Sequence, residues 1–343
     1  MKRFFTIISA LSLSLILLIS SGCTGLAPLS FNNSFNGSNE PGSSYRETLT
    51  YAVSFGEYEN ISRSSLIKKE DFDFSANGEY KVSFKTVTKN DMPDYAVATD
   101  IDLTAETGNI YHLSATLNLN TTYKVNGEGS GDYVETIKSD VYFLPAGLSF
   151  APIYSKVVQK TQILSADTSL KTPVYNVSKM ENEYSIFYNQ SSYKIIYASE
   201  EDTIEQTYAY TFKTAIDNAE LLFALRNLKV EKESSATLPV VSASYGEAKS
   251  LLITHVAQLE NALSLSVNGD EVNEKVKVNK LRFNVNENKN TGISQYLTIQ
   301  ESASTTIPYK ALLTEYAHAL VCYGANSVTG ALIYKLVSVE YSK

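Results

Sequence analysis

The sequence predicts a mainly β protein: a large, curved antiparallel sheet with one or two helices packed on it. Three features support this fold class: apolar and polar residues alternate over many segments, Asn-Gly turn signals occur, and helical periodicity is scarce. Side chains of a strand point alternately to the two faces of a sheet, so alternation indicates strands with one buried face. Antiparallel strands with one wet face fit this pattern, whereas buried parallel strands are apolar throughout.

The alternation is clearest in four segments of the chain. They are residues 49–55, 79–85, 111–120 and 204–212. Asn77-Gly78 and Asn268-Gly269-Asp270 are predicted to be hairpin turns, because Asn and Gly accept the positive φ that such turns require. The sequence therefore predicts hairpins joining neighbouring strands.

The alternation changes phase in the segment EKVKVNKLRFNVNE, residues 274–287. Val276 and Val278 share one parity, while Leu281 and the apolar residues after it have the other. One extra residue near Asn279-Lys280 would return both groups to a single face. We therefore predict a β-bulge there, which would help the sheet to bend.

Helical spacing is best in DNAELLFALRNL, residues 217–228. Asp217 is predicted to cap the start of a helix, and four leucines fall along one stripe of it. These are Leu221, Leu222, Leu225 and Leu228. The segment KALLTEYAHAL (310–320) fits a short helix or a strand, and EAKSLLITHVAQLE (247–260) is predicted to be a strand because it contains several β-branched residues.

The amino-terminal residues 1–22 have the plan of a secretory signal peptide. Lys2 and Arg3 supply positive charge, an apolar stretch follows, and small residues lead into Cys23. The apolar stretch is shorter than the roughly 20 residues that span a bilayer comfortably. Residues 23–45 are rich in Ser, Asn, Gly and Pro and predict a flexible tether about 25 Å long on average. Residues 46–343 are predicted to form a single β-rich domain.

The small residues before Cys23 resemble the lipobox of bacterial lipoproteins, in which the cysteine is diacylated and the signal is removed just before it. Ser20 stands where that motif usually has leucine, so an ordinary cleaved signal with an incidental cysteine is the alternative. The resemblance implies lipidation of Cys23 and an extracytoplasmic protein held to a bacterial membrane. Two acyl chains are enough for a stable anchor.

The formal charge of −8 falls to −10 when Lys2 and Arg3 leave with the signal. This acidic balance argues against nucleic acid and against a polybasic grip on anionic lipid. Cys322 lies in the apolar run HALVCYG and is expected to be a small buried hydrophobe. With Cys23 lipidated, the chain offers no disulfide framework.

Residue patterns for catalysis are missing, so the sequence predicts neither an enzyme nor a bound metal or cofactor. His112, His255 and His318 are far apart, and no HxxxH or CxxC spacing occurs. We expect His112 to be solvated, because it lies on the polar parity of its strand, and His318 to be a packing residue. Cys322 has no adjacent histidine in the sequence that would make it a nucleophile.

Glycines and acidic residues form clusters that have ordinary explanations. Gly127, Gly129 and Gly131 are interleaved with acidic residues and flanked by strands, which favours a flexible hairpin loop over a phosphate-binding loop. Ser130 lacks the flanking pattern of a hydrolase nucleophile. Acidic clusters that could pair for acid–base work, or bind calcium weakly, are expected to be solvated instead. They are Asp71/Asp73, Asp100/Asp102 and Glu200-Glu201-Asp202.

Residues 204–343 resemble exported proteins of unknown function that share a half-barrel with the lipoprotein carriers LolA and LolB. The resemblance is carried by IDNAELLFALRNL, VVSASYGEAKSLLITHV, IPYKALL and VTGALIYKLVSVEY. It implies a steep antiparallel sheet curled around a concave face that a helix plugs. In the carriers that face takes acyl chains, and the 24 tyrosines of this chain could line such a cleft or serve simply as strand residues.

These features lead to two functional hypotheses for a lipid-anchored envelope protein without enzymatic activity. In the first, the curved sheet binds a hydrophobic or amphipathic ligand such as a lipid. In the second, the sheet is fully packed and its face or edge recognises another macromolecule, such as an envelope protein. An apolar groove of a few hundred Å³ on the concave face would favour the first hypothesis, and a filled face the second.

Overall fold

The computed structural model describes residues 27–28, 30–31, 46–57, 68–97, 101, 103, 110–144, 151–167, 174–199, 203–210, 215–224, 228–229, 234–243, 246–285, 295–300, 320–327 and 330–342. Within them the protein is mainly β and forms one large curved sheet, which confirms the predicted fold class. The strands are β1 (Ala27–Pro28), β2 (Ser30–Phe31), β3 (Arg46–Gly56), β4 (Phe72–Val87), β5 (Ile110–Val125), β6 (Glu128–Leu144), β7 (Ala151–Asp167), β8 (Val174–Tyr188), β9 (Ser192–Ser199), β10 (Thr203–Ala209), β11 (Ile216–Asp217), β12 (Leu228–Lys229), β13 (Ser234–Val241), β14 (Lys249–Val267), β15 (Asp270–Val285), β16 (Gln295–Gln300), β17 (Leu320–Ser327) and β18 (Gly330–Ser342). Short helical turns are α1 (Leu221–Ala224) and two 3₁₀ turns, Lys89–Asp91 and Asp94–Val97.

The sheet consists of two antiparallel meanders joined by strands that are distant in the chain. Its order is β1-β13-β14-β15-β16-β17-β18-β3-β4-β5-β6-β7-β8-β9-β10, with β11 beside β13. One meander runs from β3 to β10 and the other from β13 to β18. They meet where β18 pairs antiparallel with β3, from Ala331 opposite Gly56 to Ser342 opposite Arg46. A short parallel contact also joins the ends of β14 and β18.

Alternation in the sequence becomes alternation in burial. In β5 every second residue from Leu113 to Tyr123 is buried, while the residues between them are half-buried or exposed. Burying a large apolar side chain contributes roughly 1.5–3 kcal/mol, so each long strand adds several such contributions to one core. The same inward face continues through β3, where Leu49, Tyr51 and Val53 are buried.

Tyrosine rings cross the junction between the two meanders. Tyr80 of β4 lies 5.9 Å from Tyr51 of β3 and 5.6 Å from Tyr334 of β18, measured between ring centroids. Tyr323 of β17 lies 5.4 Å from Tyr334. All four side chains are buried. Tyrosines in these strands are therefore core residues, and their rings pack against each other.

Two turn predictions have opposite outcomes. Asn268-Gly269 does form the two-residue turn between β14 and β15, with φ of 48° and 92°, and Asn126-Gly127 forms the same kind of turn between β5 and β6. The prediction of a turn at Asn77-Gly78 is wrong, because β4 runs straight through both residues. Gly78 is required there by close approach: a Cβ atom on it would lie 1.9 Å from the carbonyl oxygen of Asn118.

The predicted bulge is at the right place in the sheet but in the wrong strand. His255 pairs with Leu281 and Ala257 pairs with Lys280, so the extra residue is Val256 of β14, across from the predicted position in β15. Asn279 and Lys280 pair without interruption. A bulge in β14 leaves the alternation of β15 unbroken, so Val278 and Leu281 lie on opposite faces of the sheet, and both are buried.

The predicted helix is shorter than its leucine stripe. Only Leu221–Ala224 are helical within the described residues, and Leu228 lies in β12, paired with Phe31 of β2. Strand pairing of Leu228 thus replaces a second helical turn. The strand prediction for residues 247–260 is confirmed by β14, whereas residues 310–319 lie outside the described residues.

Strand β10 departs from the half-buried pattern that its alternation predicts. Six of its seven residues are exposed, and Tyr208 is half-buried. The reason is its position, since β10 is the last strand in the sheet order and β9 alone pairs with it among the described strands. Ile204, on the apolar parity, is 50% exposed.

Four residues of the predicted tether contact the domain as short strands. Ala27–Pro28 pair with the start of β13, and Ser30–Phe31 pair with β12. The signal peptide and Cys23 lie outside the described residues, so the predicted boundaries at 22 and 45 stay predictions. Among the described helices, none is long and apolar enough to cross a membrane.

Replacement of Gly78 tests the close approach of β4 to β5. We expect Gly78→Ala to lower the free energy of unfolding by about 1–3 kcal/mol, because the added methyl group meets backbone that must move. Gly129→Ala is the matched control, since a Cβ atom there meets nothing within 4 Å. Urea unfolding of both variants measures the difference, and equal stabilities would contradict the close approach.

Candidate functional site

The segment 215–224 lies against the inner face of the sheet and contains two buried carboxylates. The Ala219 N–H donates to Asp217 Oδ1 (2.7 Å), and the Asp217 N–H donates to Glu220 Oε1 (2.9 Å). These two hydrogen bonds fix the turn of residues 218–220. Asp217 does not cap the helix as predicted but orders this turn instead, because α1 begins only at Leu221.

Asp217 also fastens this segment to the sheet. Its Oδ2 atom accepts hydrogen bonds from the Ser155 hydroxyl of β7 and the Tyr188 hydroxyl of β8, both at 2.5 Å. The side chain is buried, and loss of water raises the pKa of its carboxyl, while the donors from Ser155, Tyr188 and Ala219 act in the opposite direction. The carboxylate thus joins the segment to two neighbouring strands.

Glu220 is fully buried beside Asp217. Its Oε2 atom has no hydrogen-bond partner among the described residues. Burial, and next the negative charge of Asp217, raise the pKa of Glu220 well above its ordinary value. This environment favours the protonated form, because two ionised carboxylates out of water repel each other strongly.

Aromatic packing fills the space around this segment. The ring of Phe223 stacks on Phe84 of β4 with 4.5 Å between centroids, and it lies 5.6 Å from Phe143 of β6. Leu221 is buried in the same core. A cavity of about 30 Å³ remains beside Asp217 and has Gln159 and Tyr184 in its wall. Such a volume holds roughly two water molecules.

A second buried carboxylate, Glu135 of β6, belongs to a separate polar cluster. Its Oε1 atom accepts hydrogen bonds from Thr121 (3.0 Å) and Tyr123 (3.1 Å) of β5. Burial raises the pKa of Glu135 to about 7, although hydrogen bonds from Thr121, Tyr123 and the Gln162 backbone lower it. Its Oε2 atom lacks a partner within the described residues.

The open groove at one end of the sheet is polar. It has a volume of about 590 Å³ and lies where β3 begins, β18 ends and β14 turns into β15. Its wall includes charged and amide side chains as well as one tyrosine. These are Arg46, Glu47, Asn268, Glu340 and Tyr341.

The described histidines and Cys322 are held in the sheet. His112 is not solvated as predicted: its ring stacks on Tyr142, directly opposite on β6, and its Nε2 lies 2.8 Å from Asp140 Oδ1. His112 lies among the polar positions of its strand, but Tyr142 covers its ring and keeps most of it from solvent. His255 is buried with Nε2 3.3 Å from Asn279 Oδ1. Cys322 is buried, as predicted.

The structure brings none of the described predicted acidic or glycine clusters into a catalytic or metal site. Asp71 and Asp73, which are expected from the sequence to be solvated, are half-buried around the buried Phe72. Gly127 lies in the β5–β6 turn as predicted, whereas Gly129 and Gly131 belong to β6, so the predicted loop is shorter than the glycine cluster. Within the described residues, no three His, Cys, Asp or Glu side chains are placed to hold a metal ion. The other predicted positions lie outside the described residues. They are Cys23, Asp100, Asp102, Glu200, Glu201, Asp202 and His318.

The buried carboxylates are the residues that sequence reasoning missed. Glu135 has the same parity in its strand as Ile137 and Val141, which are buried, so a carboxylate on an apolar parity was the available signal. Asp217 and Glu220 are spaced as in a capping box, but nothing in the sequence shows that the whole box is buried.

Comparisons with known proteins add little beyond this description. No protein-family model and no curated protein match the chain. A solved structure that is similar is a beta-barrel-like protein of domain of unknown function DUF1849 from Brucella abortus. It has a TM-score of 0.47 and 8% sequence identity, over 88% of this chain and 99% of that chain.

Glu135 predicts a pH dependence of stability. Its folded-state pKa of about 7 exceeds the value near 4.5 for an exposed glutamate, so the folded protein binds a proton that the unfolded chain releases between these pH values. Its contribution to stability is therefore full below about pH 4.5 and is lost as pH rises through 7. Glu135→Gln should be more stable than the parent at pH 8, by on the order of 1–3 kcal/mol, and about equal at pH 4.5.

Urea unfolding at both pH values measures this difference. Glu181→Gln serves as the control, because Glu181 is an exposed side chain of β8 paired with Lys160 at the surface. An equal gain from both substitutions at pH 8 would show that general surface charge, and not the buried Glu135, sets the pH dependence.

Proposed function

We propose that this protein is a lipid-anchored, non-enzymatic protein of the bacterial cell envelope that recognises another macromolecule through the surface of its sheet. The lipobox-like segment that ends at Cys23 supports the anchor and the extracytoplasmic address. Among the described residues, aromatic packing against the inner face beside segment 215–224 supports recognition from outside. Of the two hypotheses that the sequence leaves open, the geometry favours this one.

The packing around the segment 215–224 carries the proposal. Sites for small hydrophobic ligands have volumes of about 300–1,000 Å³. The cavity beside Asp217 measures about 30 Å³, since Phe223 and neighbouring aromatic rings occupy the inner face. An acyl chain would have to displace this segment and break the hydrogen bonds from Ser155 and Tyr188 to Asp217.

The larger groove at the end of the sheet does not suit an acyl chain either. Its volume of about 590 Å³ is sufficient, but Arg46, Glu47 and Glu340 contribute to its wall. Covering ionised groups with hydrocarbon removes their water and is strongly unfavourable. The groove is therefore suited to polar contacts.

The hydroxyl and imidazole groups of the interior support a role without catalysis. The Ser155 hydroxyl is buried and its hydrogen is donated to Asp217. The His112 ring is held between Tyr142 and Asp140. Nucleophilic catalysis needs a nucleophile and base within reach of each other and of substrate.

Native mass spectrometry tests the packed interior. Residues 24–343, purified without detergent from a bacterial periplasm, should give the mass of the protein alone, both before and after incubation with lipid vesicles. Organic extraction of the same sample should yield no stoichiometric lipid, while a lipid carrier treated in parallel should yield its ligand. A co-purified lipid at one per chain would contradict the proposal and restore the ligand-binding hypothesis.

Labelling with palmitate tests the anchor. The full chain expressed in bacteria should incorporate the label and sediment with membranes, whereas Cys23→Ser should lose the label and become soluble after export. Cys322→Ser is the control and should keep both the label and the membrane association. Membrane retention of an unlabelled Cys23→Ser chain would show that another segment forms the anchor.

A further inference from the structure

The outer edge of β10 has the properties of a pairing surface. Among the described strands, β10 pairs only with β9, and six of its seven residues are exposed. Neither proline nor lysine occurs in it, although such residues commonly protect edge strands against pairing. Within the described residues, the outer edge of this exposed strand is thus not paired with another strand.

One hydrogen bond shows which residues of β10 point outward. The Tyr210 N–H donates to the Ser191 carbonyl at 3.1 Å, in the same register as the β9–β10 ladder. Backbone groups alternate in direction along a strand, so the N–H and C=O groups at even positions of β10 point toward β9 and those at odd positions point away from it. The outward-facing residues are Thr203, Glu205, Thr207 and Ala209.

We infer that β10 pairs antiparallel with β10 of a second copy of this chain, about a two-fold axis at Gln206. The inference rests on the proposed function and names its macromolecular partner. In this register Glu205 lies opposite Thr207 of the second copy, and Ile204 lies opposite Tyr208. Odd positions then face odd positions, so the outward N–H and C=O groups of Glu205 in one copy pair with those of Thr207 in the other.

Apolar side chains match on one face of the paired strands. Tyr208 stacks on the buried Tyr193 of β9, with 5.5 Å between ring centroids. Ile204 of the second copy would lie next to Tyr208, so that Tyr193, Tyr208 and Ile204 form an apolar row across the interface. The two-fold axis generates a second, identical row. An aromatic ring beside a β-branched residue is a favourable cross-strand pair, and pairing would cover the exposed Ile204.

Charges match on the opposite face. Lys194 of β9 lies opposite Thr207 and its Nζ is 3.6 Å from Glu205 Oε2. In the paired strands, Lys194 and Thr207 of one copy and Glu205 of the second copy would lie in one row. Each Glu205 carboxylate would then lie between the Lys194 of its own copy and the Lys194 of the other copy. A two-fold axis at Glu205 would instead place two carboxylates directly opposite each other, which is unfavourable.

A shared membrane makes this pairing effective. Two seven-residue strands form an interface smaller than those of stable soluble dimers, so association of the free domain is expected to be weak. Anchoring both copies to one bilayer raises their effective concentration and favours the dimer without new contacts. The test therefore uses the full chain in its membrane.

Disulfide trapping tests the register. Gln206→Cys places two cysteines across the axis in a non-hydrogen-bonded pair about 4.5 Å apart between Cα atoms, a distance that a disulfide can span. Mild oxidation of membranes should give a disulfide-linked dimer. Thr203→Cys should give none alone, because the two Thr203 lie at opposite ends, but should give a dimer when co-expressed with Ala209→Cys.

A second pair of variants tests the edge hydrogen bonds. In the Gln206→Cys chain, Thr207→Pro removes an outward N–H and leaves the ladder with β9 intact, so trapping should fall by on the order of tenfold. Thr207→Val keeps the N–H and should trap as the parent does. Equal thermal unfolding of the two variants shows that both fold.

Three outcomes would overturn the inference: no dimer from Gln206→Cys, equal trapping from Thr203→Cys alone, or trapping of Gln206→Cys only to a different protein. If one of these outcomes occurred while the chain carried no lipid ligand and was anchored through Cys23, the pairing would be ruled out and the proposed function would remain. A dimer from a chain that carries stoichiometric lipid would overturn the proposed function and leave the pairing.

Discussion

The pairing of β3 with β18 holds the whole sheet together. Without this ladder the chain would form two separate meanders, each with an additional free edge and part of an apolar face exposed. Tyr80 strengthens the junction because it contacts Tyr51 on β3 and reaches past that strand to Tyr334 on β18. Burial raises the pKa of Tyr80 and Tyr334, so both stay neutral and pack as large apolar bodies.

The segment around Asp217 depends on that sheet and completes its core. Phe223 can stack on Phe84 only because the first meander curves to present β4 and β6 to it. Hydrogen bonds to Asp217 from two strands then fix its position. Buried carboxylates are unfavourable unless hydrogen-bonded, so this arrangement specifies one position for the segment more than it adds stability. Within the described residues the inner face beside this segment is filled, which directs attention to the surface and edges of the sheet.

Much of the fold could be predicted from the sequence, because the side-chain period of a strand is local. Alternation located β3, β4, β5 and β10, β-branched residues located β14, and Asn268-Gly269 marked a true turn. Gly78 and Val256 escaped prediction because their roles depend on a neighbouring strand: close approach in one case, a bulge in the other. Ile204 was misjudged for the same reason, since only the strand order shows that β10 is an edge. The burial of the Asp217 and Glu220 side chains could not be predicted either, because it depends on contacts with strands that are distant in the sequence.

The junction of β3 and β18 also constrains the order in which the protein can fold. Arg46 pairs with Ser342, so β3 must wait for almost the entire described chain to be synthesised. At about 5–20 residues per second this takes roughly 15–60 s. During that time the first meander can form from local hairpins, but β3 keeps an unpaired edge and the tyrosine junction is incomplete. Completion of the sheet therefore has to follow the appearance of β18, and the outer edge of β3 needs protection from pairing with other strands until then.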